Sequence, residues 1–153
     1  DLVLFMSGLA RYPDKIWYYR STRINDVLKE LKRRGDVGIY LIGGIVVDKT
    51  LTISSSDWGE IVEKYQVLMY SPHYYRLDKR ETYAIIGRGF YVKPPLRLAN
   101  LTPRGYKLSK NLLTLIGRTE AYKLVKQNFR KTKYLGIDRE KIESMIMPRA
   151  EFS

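Results

Sequence analysis

A chain of 153 residues with 44% hydrophobic and 29% charged residues has enough material for one buried core and is too apolar to remain disordered. Its 28 Lys and Arg outnumber 16 Asp and Glu, and the resulting +12 draws polyanions, so nucleic acid is the first partner to consider. Cysteine is absent, which removes disulfides, thiolate nucleophiles and cysteine metal knots, and the apolar run at 41–47 is far short of the ~20 residues that span a bilayer. These features predict a soluble, cytoplasmic protein without a membrane partner, and the abundance of Tyr, Ile, Lys and Arg suits a thermophile. The chain starts abruptly on DLVLFMSG, with Asp1 where an initiator Met would stand, which predicts that preceding sequence has been removed.

Leu2 to Met6 reads as a short strand buried on both sides, followed by a turn at Ser7 and Gly8 and an irregular aromatic segment. A helix follows, because Ile24, Val27, Leu28 and Leu31 recur at helical spacing; Ser21 or Thr22 can cap its start and Gly35 suits a left-handed stop. The stretch GIYLIGGIVVDKTLTI is too continuously apolar for a one-sided strand, and Gly43 with Gly44 predicts the sharp coiling that closes a small barrel. Asp57 with Glu60 then marks the start of a short helix carrying Trp58, Ile61, Val62 and Tyr65 on one face. Residues 66–70, 82–92 and 96–100 read as strands, with SPHYYRLDKRE as the loop between the first two.

From residue 103 the pattern changes to short helical pieces capped by Ser109, Thr119 and Asp138. Between 103 and 149 twelve Lys or Arg face four Asp or Glu, so most of the positive charge sits in this tail. The predicted organisation is one α+β domain over 1–153: a small, strongly curved mixed barrel over 1–102, flanked by short helices, and a basic helical part over 103–153.

Two aromatic and cationic clusters carry the candidate chemistry. The first is Trp17, Tyr18, Tyr19, Arg20 and Arg23; the second is His73, Tyr74, Tyr75 and Arg76, with Lys79 and Arg80 behind it. Unpaired bases stack on flat rings for about 1–3 kcal/mol each, and arginine adds phosphate contacts. Taken singly, each tyrosine is equally a packing residue, since rings supply buried area at strand ends. Further cations for phosphate are Arg88 and Lys93 in the RGFYVK stretch and Lys126 and Arg130 in the tail.

Catalytic patterns are sparse. His73 is the sole histidine and has Ser71 nearby but no evident third partner for a triad, and a single His without Cys does not make ordinary zinc chemistry. Gly87 and Gly89 lack the third glycine and following helix of a dinucleotide site, and no phosphate-loop motif occurs. The pairs Glu60 with Glu63 and Asp138 with Glu143 fall on predicted helices as solvated faces. No metal, cofactor or catalytic residue is therefore assigned.

The stretches DLVLFMSG and GIYLIGGIVVD resemble the paired strands of PUA-like domains of the EVE and YTH type, and HYYR with YAIIGRGFYVKPPLRLA is similar to archaeal and viral nucleotide-modification-associated domains. The resemblance covers roughly residues 1–100, with Met6 standing where the pattern prefers tyrosine. It implies a barrel that holds one flipped or modified base in an aromatic pocket, with Ser7 and the segment after it as one wall and His73 and its neighbours as another. DNA or RNA is the implied partner, in a larger modification or restriction system. The expectation is thus a non-enzymatic module reading a single base. An enzyme of nucleotide or nucleic-acid modification or cleavage, using His73 or Asp78, and a structural RNA-binding protein are the alternatives.

Overall fold

Two long strands organise the chain, and glycine sets how close they come. The computed structural model describes residues 1–11, 24–54, 56–70, 81–129 and 136–152. Among these residues five strands form one sheet: β1 (Leu2–Ala10), β2 (Val37–Ile53), β3 (Thr82–Thr102), β4 (Gly105–Leu108) and β5 (Ala150–Phe152). Their order is β1-β2-β3-β4, with β5 also paired to β3, and the sheet is antiparallel. Four α-helices accompany it among the described residues: α1 (Ile24–Arg34), α2 (Trp58–Lys64), α3 (Lys110–Lys126) and α4 (Arg139–Met145).

The α+β class expected from the sequence is present, but the sheet is not closed into a barrel. The outer edge of β3 is divided between β5, which pairs with Phe90–Val92, and β4, which pairs with Ala99–Thr102. The strand order then ends at β4, and among the described residues β1 and β4 do not pair with each other. Pro94 and Pro95 lie between the two paired segments, in the stretch of that edge that neither β4 nor β5 covers. The two predicted strands over 82–92 and 96–100 are one strand through these prolines.

The chain divides into two compact units, Asp1–Val3 with Ile45–Arg88, and Leu4–Gly44 with Gly89–Ser153. In the first, Val47 N–H donates to the Asp1 carbonyl at 2.9 Å. Its core is Ile53, Trp58, Val62 and Leu68, with Leu51, Ile61, Tyr65 and Ala84 around it. Each full burial of such a side chain contributes about 1.5–3 kcal/mol. Asp57 stands at the start of α2 as expected, but its carboxylate does not cap the helix. It accepts hydroxyl hydrogens from Ser54 and Ser56 instead, at 2.5 and 2.8 Å. The predicted strand at 66–70 is a 3₁₀ turn: Leu68 N–H bonds back to the Tyr65 carbonyl, Leu68 is buried, and Val67 and Met69 face outward. Five apolar residues are too few for spacing to separate the two conformations.

In the second unit Val27 and Leu31 of α1 pack on Val37, with Ala10 and Leu101 beside them, as the helical spacing requires. Gly35 ends α1 at φ 77, and Asp36 N–H closes on the Leu31 carbonyl at 2.9 Å. β1 corrects its prediction: it continues through Ser7 and Gly8, and Phe5, Met6 and Leu9 are exposed, because this strand lies at the end of the sheet. Thr102 and Gly105 face each other across a tight turn that joins β3 to β4. Ser109 caps α3 by accepting from Leu112 N–H, while its own hydroxyl donates to the Arg97 carbonyl at 2.9 Å. Gly117 breaks α3 at φ 75, ψ 166, so the two predicted helical pieces meet there. Asp138 caps α4 through Glu140 N–H.

β2 and β3 approach closely at glycines. A Cβ on Gly38 would stand 2.7 Å from the Ala99 carbonyl oxygen, and one on Gly43 would collide with the Phe90 carbonyl oxygen. In the first unit a Cβ on Gly87 would collide with the Val46 carbonyl oxygen. Gly43, predicted as a coiling residue, is required by this contact.

Gly43→Ala should destabilise by about 1–3 kcal/mol through overpacking, whereas Gly59→Ala, on a helix with open space at the Cβ, should be neutral or stabilise by up to ~1 kcal/mol. Urea unfolding of the two variants distinguishes them. The Ser54 and Ser56 hydroxyls hold the Asp57 carboxyl below its ordinary range. A carboxylate depressed in the folded state stabilises above its unfolded pKa, and that contribution disappears as pH falls through about 4 and below. Thermal melts from pH 6 to pH 3 should therefore show a shallower loss for Asp57→Asn than for the parent protein.

Candidate functional site

Most predicted base-binding residues, namely Trp17, Tyr18, Tyr19, His73, Tyr74 and Tyr75, lie outside the described residues, as do Arg20, Arg23, Arg76 and Arg130. The described ones are Ser7, Arg88, Lys93 and Lys126. Ser7 is half-buried within β1, and Lys93 on β3 is exposed but ion-paired with Glu151 of β5 at 2.6 Å. Lys126 is exposed at the end of α3. No hydrogen bond or ion pair joins these three. Arg88 is exposed on β3 in the other unit.

What the sheet does bring together is a cation and a ring that sequence reading did not pair. Tyr40 on β2 and Arg97 on β3 are 57 positions apart, yet Arg97 Nε–H donates to the Tyr40 hydroxyl at 2.7 Å. The guanidinium also lies 5.1 Å from the Tyr40 ring centroid. Held at two points, Arg97 keeps its other N–H groups unbonded to any described residue, and no described carboxylate pairs with it. A planar fork fixed in this way is preset for an oxyanion or a base edge, or for a flat ring stacked on its outer side. Next to it, the Arg97 carbonyl accepts from Ser109 and from the Asn111 amide at 3.2 Å, which ties the start of α3 to this part of β3.

A second constellation lies in the other unit. Lys49 Nζ donates to the Tyr65 hydroxyl at 2.8 Å and stands 5.4 Å from its ring centroid, while Lys64 Nζ is 5.8 Å from the same centroid. The hydrogen bond from Lys49, and then the charges of Lys49 and Lys64, hold the Tyr65 phenol below its usual pKa. The opposite holds at Tyr83, whose hydroxyl donates to Glu81 and whose pKa is raised. On α3 a third pair repeats the theme, with Arg118 5.7 Å from the ring centroid of the exposed Tyr122. Only this last pair was accessible to sequence reasoning, since a spacing of four residues places both side chains on one helix face.

Among the described residues no three His, Cys, Asp or Glu side chains gather to hold a metal ion, and no helix is long and apolar enough to cross a membrane. No family model, curated protein or solved structure matches the chain, so what the site can do is read from its own residues.

Alkaline titration followed at the phenolate absorbance should remove the Tyr65 proton at lower pH than the Tyr83 proton, with single Tyr→Phe variants assigning each step. Lys49→Met should move the Tyr65 step upward, because both the hydrogen bond and the nearer positive charge are lost.

Proposed function

We propose that the protein is a nucleic-acid-binding module, of the PUA-like kind that its strand motifs resemble, which attaches through phosphates and reads a single base among rings. The observation that carries this reading is the Tyr40–Arg97 pair, a guanidinium fixed over a ring and free of any described carboxylate, in a chain of net charge +12. Cations that stabilise a fold usually sit against carboxylates, as Arg33 and Arg34 do against Glu30. Arg97 gives one N–H to the Tyr40 hydroxyl and keeps its remaining donors for an acceptor outside the described residues. The base is held by stacking and edge contacts, at about 1–3 kcal/mol per stacked base, and the flanking phosphates by exposed cations such as Lys126. Trp17, Tyr18, Tyr19, His73, Tyr74 and Tyr75 are the further rings of this proposal, and Ser7 a polar contact at its edge. A modified or flipped base is the preferred ligand, in DNA or RNA, within a larger modification or restriction system.

The test is a fluorescence-anisotropy panel of single- and double-stranded DNA and RNA oligonucleotides, with and without modified bases, at low salt. Binding should be tightest where one base is unpaired or modified. Arg97→Ala should weaken it by about ten- to 150-fold and blunt the difference between bases, as expected for loss of one charge-assisted contact of about 1.5–3 kcal/mol. Lys126→Ala should weaken every sequence alike. Equal affinity for all sequences, untouched by Arg97→Ala, assigns the protein to shape-and-phosphate RNA binding instead, and no binding at low ionic strength ends the proposal.

A further inference from the structure

Lys49, Tyr65 and Lys64 form a cluster composed almost wholly of hydrogen-bond donors. The Tyr65 hydroxyl already accepts from Lys49, so its own O–H remains to be given away. Lys49 has two further N–H groups and Lys64 three, and among the described residues no carboxylate lies within ion-pairing distance of either ammonium. Two cations reach this phenol from separate parts of the chain: Lys49 comes from β2 to the hydroxyl, and Lys64 from the last turn of α2, 5.8 Å from the ring centroid. Tyr65 itself is anchored, since it packs at the margin of the Ile53, Trp58, Val62 and Leu68 core and its N–H bonds to the Ile61 carbonyl at 2.8 Å.

The surroundings of Lys64 offer one competing explanation. A lysine in the last turn of a helix is favoured by the negative end of the helix dipole, which amounts to roughly half a charge in a long helix. That accounts for Lys64 but not for Lys49, which comes from a strand and turns toward the same phenol. Two whole positive charges stand against that fraction at the phenol, and the neighbouring carboxylates of Asp48, Glu60 and Glu63 form no ion pair with either ammonium. The phenol pKa is lowered first by the Lys49 hydrogen bond and then by the charges of Lys49 and Lys64, so both the donor and the cations favour negative charge placed beside them.

We infer that Lys49, Tyr65 and Lys64 make a binding site for a phosphate oxyanion, and that its occupant is a backbone phosphodiester of the bound nucleic acid. The identity of the occupant rests on the reading in the preceding subsection; the oxyanion site itself does not. The ligand contributes only acceptor oxygens and one negative charge, which matches the donors that the cluster holds out. Tyr65 O–H takes one oxygen, and the Lys49 and Lys64 ammonium groups take the others.

The test uses the full chain with ¹³Cζ-labelled tyrosine, the Tyr65 resonance being assigned by Tyr65→Phe, which keeps the packed ring. A short single-stranded oligonucleotide should shift that resonance saturably. The Lys49→Gln, Lys64→Gln double variant, changed only at exposed side chains, should bind about tenfold more weakly, as loss of a charge-assisted phosphate contact implies. Its log affinity against log salt should be less steep by about 0.7, the value for one phosphate contact on a single strand. If the oligonucleotide binds parent and double variant alike and leaves the Tyr65 resonance unmoved, this site is refuted while nucleic-acid binding stands. If no oligonucleotide binds, the preceding reading fails and inorganic phosphate alone decides this one. A saturable Tyr65 shift that the double variant lacks then sustains the oxyanion site, and an unmoved resonance overturns it.

Discussion

The contact on which the rest depends is the close backbone approach of β2 and β3. At Gly38 and Gly43 in one unit, and at Gly87 in the other, the facing carbonyl oxygen occupies the space a side chain would need. These glycines cost conformational entropy, and the return is ladder pairing with no side chain to hold the strands apart. The consequence for function is positional. With Gly38 against Ala99, Tyr40 and Arg97 are brought level on neighbouring strands, and a hydroxyl from one reaches the guanidinium of the other. Neither residue could orient its partner from a loop with comparable constraint.

The second theme is where the positive charge goes. Some cations are tied into ion pairs along a helix or between strands, such as Arg139 with Glu143 and Lys93 with Glu151. Such exposed pairs contribute little to stability, typically ~0–1 kcal/mol, and they neutralise themselves. Lys64, Arg97 and Arg118 lie instead against tyrosine rings, and Lys49 at the hydroxyl end of one. A ring orients a cation without cancelling its charge, so the field of the protein survives at positions with fixed geometry. This distribution suits a surface that attaches to phosphates and selects by flat contact.

Local signals were legible in the sequence. Ser109, Asp138 and Gly35 sit at the helix ends where their side chains, or the lack of one, dictate, because capping is settled within a few residues. The α1 face of Val27 and Leu31 was equally plain from its spacing. Non-local features were not legible. β4 and β5 are four and three residues long and exist because β3 offers an edge, so nothing within them announces a strand. Whether the sheet closes is a property of strand order, and glycines that permit coiling also permit close pairing. The same limit hid the Tyr40–Arg97 pair, whose members are far apart in sequence and meet only through the β2–β3 register. The expectation of two aromatic clusters rests on residues outside those described, while the cation–ring principle behind it reappears at other positions.

The most direct measurement is photo-crosslinking of the full chain to a single-stranded oligonucleotide carrying one photoreactive base, with the attachment points mapped by mass spectrometry. The account predicts attachment beside rings that carry a cation, at or next to Tyr40, Tyr65 or Tyr122 or within the aromatic stretches around Trp17 and Tyr74, and competition by unlabelled oligonucleotide. Attachment confined to ring-free lysine surface, or none that competitor removes, would contradict it.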